Sequence, residues 1–313
     1  MKILLATDGS DNANAATDFL RSCPMPADTE LTLITVIDKV VFGGEKPSQL
    51  IKSDKYDEDH QRMLLETEQM LRHTAGEILD EAESRLQGSI SVKDKLVRTG
   101  HPSREIVREA EHLATDIVIV GTHGVGTMKR FLLGSTSDDV MRYSPCSVLI
   151  VRNRHGETES TVDIDSQPQP LKILLAFDNS PSARKATELC ASLSTGFEND
   201  ITALSVMPVV SMYRQDVRQQ LSWIWQEQKK AVQKGLEWVT DVLTKKHLKV
   251  STLVKESSDV KYEILDTAQE LESDLIVIGD KGETAFKRYL IGSTTWRVAH
   301  HASCSVLAVR VCS

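Results

Sequence analysis

The 313-residue chain is poor in cysteine and shows no pattern for pairing it. Its five cysteines, Cys23, Cys146, Cys190, Cys304 and Cys312, form no C-x-x-C pair, and the number is odd. This argues against a disulfide framework or a zinc cluster and reads as buried, reduced thiols. No apolar run reaches the ~18 residues that a membrane span needs. The start, MKILLATDGS, lacks a basic region, a long apolar stretch and a cleavage site. It reads as a first strand, and the expected location is the cytoplasm. Basic charge is also in deficit, with 37 Lys and Arg against 45 Asp and Glu and a net charge of -8. Such a chain is a poor general nucleic-acid binder, because phosphate contacts need a basic face. That balance still permits a small anion held by backbone amides. Neither a G-x-x-x-x-G-K-[ST] P-loop nor a Rossmann G-x-G-x-x-G after a first strand occurs. No nucleophile–base–orienter set can be assembled, which argues against a dedicated hydrolase. The adjacent pair His300-His301 is not expected to bind metal, since sequence neighbours on a helix diverge.

What the chain does have is a repeat of itself. Lys2-Ile3-Leu4-Leu5-Ala6-Thr7-Asp8-Gly9-Ser10 returns as Lys172-Ile173-Leu174-Leu175-Ala176-Phe177-Asp178-Asn179-Ser180. Asp116–Gly121 returns as Asp274–Gly279, Lys129–Thr136 as Lys287–Thr294, and Cys146–Arg152 as Cys304–Arg310. The offset is 170 at the front and 158 at the back, so the first half carries twelve more residues in its middle. Asn153–Pro170 is polar, holds Pro168 and Pro170, and reads as a linker at 153–170. The expected domains are 1–152 and 171–313.

Strand and helix patterns alternate within each half. In the first, strands are expected at Ile3–Ala6, Leu31–Ile37, Ser91–Val97, Ile117–Val120 and Ser147–Val151. Helices are expected at Ala13–Arg21, about 57–87, Ser103–Leu113 with Ser103 as N-cap, and Thr136–Tyr143. The long helix carries Met63, Leu64, Met70, Leu71, Ile78, Leu79 and Leu86 at helical spacing. In the second half Trp225, Val232, Leu236, Val239 and Leu243 fit one buried stripe, and Trp223 falls off it. Each parallel crossover needs a dozen or more residues, and short apolar runs suit strands buried on both faces. The fold class is therefore α/β, with two tandem, doubly wound, five-stranded parallel-sheet domains.

Such sheets bind ligands beyond the carboxyl ends of their strands. The fourth strand runs into Gly121-Thr122-His123-Gly124, then nine residues, then Gly134-Ser135-Thr136. The second half repeats this as Gly279-Asp280-Lys281-Gly282, nine residues, then Gly292-Ser293-Thr294. Glycines let backbone approach a ligand and adopt positive φ. Gly-Ser-Thr then opens a helix whose free N–H groups and dipole favour an anion. His123 sits between the glycines, placed either to touch ribose or phosphate or to stand exposed. Lys129-Arg130 and Lys287-Arg288 read as a solvated face or as an approach to a triphosphate tail. Asp8 and Asp178 follow the first strand of each half, where they also suit helix capping.

The G-2x-G-9x-G-[ST] spacing, with Asp after the first strand, resembles the nucleotide-binding branch of the universal stress protein family. The resemblance spans nearly the whole chain, twice, and implies the Rossmann-like fold of that family. It implies an adenine nucleotide, ATP or AMP, in each half, with Mg2+ as a companion of ATP. On this resemblance Asp8 and Asp178 contact the ligand, and Val36 and Val206 flank adenine. Gly121, Gly124, Gly134 and Ser135 form the phosphate and ribose loop, as do Gly279, Gly282, Gly292 and Ser293. Ala6, Thr7, Val120, His123, Thr136, Ile278 and Thr294 border it. The implied role is a stress-related sensor or regulatory module, in which ligand orders the loop between Gly124 and Gly134 and its apolar tip Phe131-Leu132-Leu133 changes a surface read by a partner. Two alternatives stay open: a slow ATPase, and a nucleotide-free interaction protein with a degenerate second site. The second site departs from the pattern in two ways. Asp280 stands in the loop, where a carboxylate repels phosphate unless Lys281 offsets it. Glu256-Ser257-Ser258-Asp259 replaces Gly100-His101-Pro102 with one extra residue. The last strands, Val148–Val151 and Val306–Val309, are candidates for pairing the two halves as an intramolecular pseudo-dimer, and a homodimer is a further option.

Overall fold

A computed structural model describes residues 1–23, 25–26, 28–42, 57–124, 133–153, 170–196, 198–209, 215–282 and 291–311. The chain divides into two compact units, Met1–Ser22 with Ala27–Asn153, and Cys23–Pro26 with Arg154–Ser313. The tips of both glycine loops, with Lys129, Arg130, Phe131, Leu132, Lys287 and Arg288, lie outside the described residues, as do most of the linker and Cys312.

The first unit runs β1 (Lys2–Ala6), α1 (Asp11–Ser22), β2 (Glu30–Asp38), a short 3-10 turn (Lys39–Phe42), α2 (Glu58–Leu86), β3 (Val92–Gly100), α3 (Pro102–His112), β4 (Ile117–Gly121), α4 (Ser135–Tyr143) and β5 (Ser147–Val151). Its strands are ordered β3-β2-β1-β4-β5, all parallel. The order reverses between β1 and β4, which opens a crevice at their carboxyl ends. The second unit repeats the plan with β6 (Lys172–Ala176), α5 (Pro181–Ser194), β7 (Asp200–Pro208), α6 (Gln215–Thr244), β8 (Lys249–Ser257), α7 (Val260–Glu270), β9 (Leu275–Gly279), α8 (Ser293–His301) and β10 (Ser305–Val309). Its order is β8-β7-β6-β9-β10, again parallel. Between β2 and α2 lie nineteen residues, against six between β7 and α6, so the first half's extra length falls there. The second half's one extra residue falls between β8 and α7, where Ser258 and Asp259 stand against His101 alone. No described helix is long and apolar enough to cross a membrane.

The central strands are apolar because helices cover them on both faces. Ile3, Leu4, Leu5, Leu31, Leu33 and Ile34 are all but fully buried, as are Ile117–Val120 and Val148–Val151. On one face α1 packs against α2, and Ile37 meets Phe42, Ala75, Leu64, Leu71 and Val97. On the other face α3 packs against α4.

Two expectations need correction here, and the long helix adds a finding of its own. The apolar stripe of α2 is buried only from Ala75 onward, at Ala75, Leu79, Ala82 and Leu86, and Met63 and Met70 are exposed. A 29-residue helix is ~43 Å long, whereas the nine-residue β2 covers ~30 Å, so the first turns overrun the sheet. Ser103 is not the N-cap of α3; His101 is, with Pro102 as the first helical residue and no side-chain cap. Ser103 instead donates its hydroxyl to Asp139 Oδ2 at 3.0 Å, tying α3 to α4. The trait of Trp223 falling off the buried stripe of α6 does carry through, because its ring is exposed while Leu236, Val239 and Leu243 are buried. The second correction also concerns capping. Ser180 caps α5 by accepting from Ala183 N–H at 3.1 Å, so Asp178 is not the cap.

Candidate functional site

The crevice of the first unit is assembled from four chain segments. The β1–α1 turn supplies Asp8, which is exposed and accepts from both the N–H of Ser10 (3.1 Å) and its hydroxyl (2.5 Å) through Oδ1. Asp8 therefore braces the turn instead of capping α1. Gly9 takes φ +75°, which glycine adopts without strain, and lies on Ile78 of α2. The end of β4 supplies Gly121, Thr122, His123 and Gly124. The start of α4 supplies Gly134, Ser135 and Thr136. The overhanging end of β2 supplies Val36.

The glycines are required for close approach and not for positive φ, which corrects the conformational expectation. None of Gly121, Gly124, Gly134, Gly279, Gly282 or Gly292 is among the positive-φ residues. A Cβ at Gly121 would stand 2.6 Å from the carbonyl oxygen of Asn12, and one at Gly279 would stand 2.8 Å from Ala183 N. These two let the strand end abut the first turn of the opposite helix. A Cβ at Gly124 would collide with Asp8 Oδ2, and one at Gly282 would stand 3.0 Å from Asp178 Oδ2. So each loop passes directly beneath the carboxylate that follows the first strand. The far ends of the loops are closed by backbone bonds, Gly134 N–H to Thr122 O at 2.8 Å and Gly292 N–H to Asp280 O at 2.6 Å.

Gly134 and Gly292 are the N-cap residues of α4 and α8, and neither helix has a side-chain cap. Ser135 and Ser293 are exposed and Thr136 and Thr294 half-buried at the first turn. The cap residue thus supplies no side-chain oxygen to the first-turn N–H groups of either helix. Two residues that sequence reading passed over hold this turn in place. Ser137 donates to Gly121 O and Thr295 to Gly279 O, each at 2.7 Å. Their shared offset from the motif glycine, in a repeat already recognised, was the signal.

Val36 and Val206 are half-buried, two residues from the ends of β2 and β7. Ala6, Val120 and Ile278 lie at the strand ends beside the loops, with Thr7 buried just beyond β1. His123 is buried at 9% exposure, so it is not the exposed loop histidine that stood as one option. Its carbonyl accepts from the Ser10 hydroxyl at 3.4 Å.

The second site differs where Thr122 becomes Asp280. Thr122 donates to Asn12 Oδ1 at 3.1 Å. Asp280 is only 5% exposed and pairs with Arg310 Nε at 3.6 Å and more distantly with Lys281 Nζ at 3.9 Å. Burial raises its carboxyl above the usual range, and Arg310 and then Lys281 pull it back. Asn12 is correspondingly replaced by Ser182, whose hydroxyl donates to Lys281 O at 2.5 Å. The carboxylate thus stands between Arg310, just past β10, and Lys281, the residue expected to offset it, and the two offset its burial in part. In the same unit Phe177 replaces Thr7 and stacks on Trp238 of α6 with centroids 6.1 Å apart.

Comparison with known proteins agrees with this architecture. The model of the universal stress protein family matches residues 1–152 and again residues 171–310. A universal stress protein of Mycolicibacterium smegmatis is 27% identical over 316 aligned residues, covering 98% of this chain and 96% of that one. A putative universal stress protein of Staphylococcus aureus strain USA300 is 29% identical over 170 residues, 53% of this chain and 89% of its own length. The crystal structure of a universal stress protein from Archaeoglobus fulgidus DSM 4304 shares the fold over 99% of this chain and 98% of that one, with a TM-score of 0.60 at 20% identity. With the parallel five-stranded plan and the glycine loop present in both halves, the chain belongs to the universal stress protein family as a tandem member.

Proposed function

We propose that each unit binds an adenine nucleotide, ATP or AMP, in the crevice at the carboxyl ends of its strands, and that the protein acts as a stress-related sensor or regulatory module. The observation that carries this reading is the loop geometry. A glycine loop passes under an exposed carboxylate and is closed onto a helix N-terminus that has no side-chain cap. The chemistry of the donor set suits such a ligand. Asp8 accepts hydrogen bonds from ribose hydroxyls, the first-turn N–H groups and hydroxyls of Ser135 and Thr136 receive phosphate, and Val36 lies against the base. In the second unit Asp178, Ser293, Thr294 and Val206 take the same parts, and the Asp280–Arg310 pair leaves the loop amides available to phosphate. When ATP is the ligand, Mg2+ would travel with its phosphates, and Asp8 and Asp178 are the repeated acidic residues that would hold it. Leu133 is buried, so an ordering of the loop by ligand would be read through residues other than that one.

The test is to denature the purified protein and identify any released nucleotide by chromatography and mass, then to repeat this with Gly124→Val and Gly282→Val. Each substitution places a side chain against the carboxylate and is expected to empty its own site. A native protein that carries no nucleotide and binds neither added ATP nor AMP refutes the reading. Steady ATP turnover that vanishes in Asp8→Ala would move the conclusion to an ATPase.

A further inference from the structure

The repeat places a cation beside the base-flanking valine in both units. Val36 of β2 is in register with Arg98 of β3, and Val206 of β7 is in register with Lys255 of β8. Registered residues on neighbouring strands share a face and stand ~4.8 Å apart. The face is fixed independently. Ile37 and Val97, the adjacent residues, pack together toward α2, so Val36 and Arg98 point to the α3 side. Their height is fixed too. The last pair between β1 and β2 is Ala6 with Ile34, so Val36 and Arg98 stand two residues, ~6.6 Å, beyond the end of β1. Both therefore stand at the carboxyl-end side of the sheet, beyond the strand that leads to Asp8.

Arg98 is held rigidly. Its Nε donates to Glu109 Oε1 of α3 at 2.7 Å, and its Nη1 donates to the carbonyl of Val97 at 3.4 Å. Glu109 is 7% exposed, and its Oε2 is buried with no hydrogen-bond partner among the described residues. The bond to a buried carboxylate limits where the guanidinium that supplies it can lie. The guanidinium side chain is nevertheless 36% exposed. Lys255 is held by two carboxylates, Glu263 at 3.1 Å and Glu270 at 2.8 Å, and is 23% exposed. Each unit thus keeps a cation at the same register position, held by acids at different places on the equivalent helix, α3 in the first and α7 in the second.

We propose that Arg98 is a base-positioning residue of the first site, its guanidinium lying against the face of the base next to Val36. This rests on the nucleotide reading above and adds a ligand contact to it. A planar, weakly hydrated guanidinium stacks on an aromatic ring, while an ammonium does so less well. A purine is wide enough to cover both strands, β2 and β3. The first site is therefore the more selective of the two for a ligand with an aromatic base, since the second presents Lys255.

The experiment measures binding of AMP and of ribose 5-phosphate, which lacks the base, to the full-length chain by calorimetry. A Gly282→Val background isolates the first site. Arg98→Ala is expected to weaken AMP ~3–10-fold and to leave ribose 5-phosphate unchanged. Arg98→Lys keeps the pair with Glu109, and so the fold, and is expected to lose a smaller part of the AMP affinity with ribose 5-phosphate again unchanged. Equal losses for the two ligands would reduce Arg98 to a structural role and overturn the proposal. So would unchanged AMP affinity in both variants. If the parent chain binds neither ligand, the nucleotide reading fails and this inference falls with it.

Discussion

Gly121 and Gly124 are three residues apart in one motif, yet the structure assigns them opposite consequences on substitution by alanine. At Gly121 the added Cβ meets three backbone atoms of α1: Asn12 O at 2.6 Å, Asn12 C at 2.7 Å and Ala13 N at 3.1 Å. Comfortable contact begins near ~3.5 Å, and backbone in a helix turn cannot rotate aside, so α1 and β4 must separate by nearly an ångström. Overpacking of that kind costs about 1–3 kcal/mol. For a domain of this size each kcal/mol moves the midpoint by ~2–4 °C, which places the loss at roughly 2–12 °C. At Gly124 only the Asp8 carboxylate is in the way, and that is the end of an exposed side chain and not backbone. Gly124→Ala should hold within ~1 kcal/mol of the parent. Its effect should appear with ligand. ATP at a hundred times its Kd stabilises by ~2.7 kcal/mol, or about 5–11 °C, and Gly124→Ala should lose most of that shift because Asp8 has been pushed aside. Scanning calorimetry of both variants with and without ATP reads all four numbers. If Gly121→Ala melts with the parent, or if Gly124→Ala melts below Gly121→Ala, the packing argument is wrong.

Other consequences can be checked in the same preparations. Ser137→Ala removes the 2.7 Å bond to Gly121 O and should cost ~1 kcal/mol in urea unfolding, with Ser137→Thr milder because Thr295 does this work in the second unit. Asp280 has a folded-state pKa above its unfolded one, so the folded protein holds the extra proton between the two. Relative to Asp280→Asn, the parent should therefore gain stability as pH falls from neutrality through the raised pKa toward the ordinary carboxylate range, then level off; a gain on raising pH would contradict the burial argument. Cys190 is buried with its thiol pushed up to about 12 by burial, and should resist alkylation at neutral pH until the domain is unfolded by urea. Labelling of Cys190 at the rate of a free thiol in the native protein would show that α5 opens on its own.

Much of this protein was legible in its sequence because the information was written twice. Local apolar runs at Ile117–Val120 and Leu275–Ile278, bounded by turn residues, specify buried parallel strands in any context that supplies helices. The Gly-Ser-Thr after each loop specifies a helix start, and the structure begins α4 at Ser135 and α8 at Ser293. The family followed from the same spacing.

What depended on through-space contacts was not legible. The motif glycines were read for close approach to a ligand and for positive φ, but the contacts that exclude a Cβ there come from Asn12, Ala183, Asp8 and Asp178, residues about a hundred positions away along the chain. For Asp280 the sequence offered only Lys281 as a counter-charge, and it is the end of β10 that brings Arg310 beside it. The spacing along α2 marked a helix but not how far the sheet beneath it extends: a strand rises about twice as far per residue as a helix, and a 29-residue helix still outruns nine residues of sheet. Arg98 carried no sequence signal, since only strand register set it beside Val36. Sequence alone determined which elements form and in what order, because hydrophobic period and turn chemistry are local. Tertiary structure decided which atoms meet at the crevice, because those contacts join segments that only packing brings together.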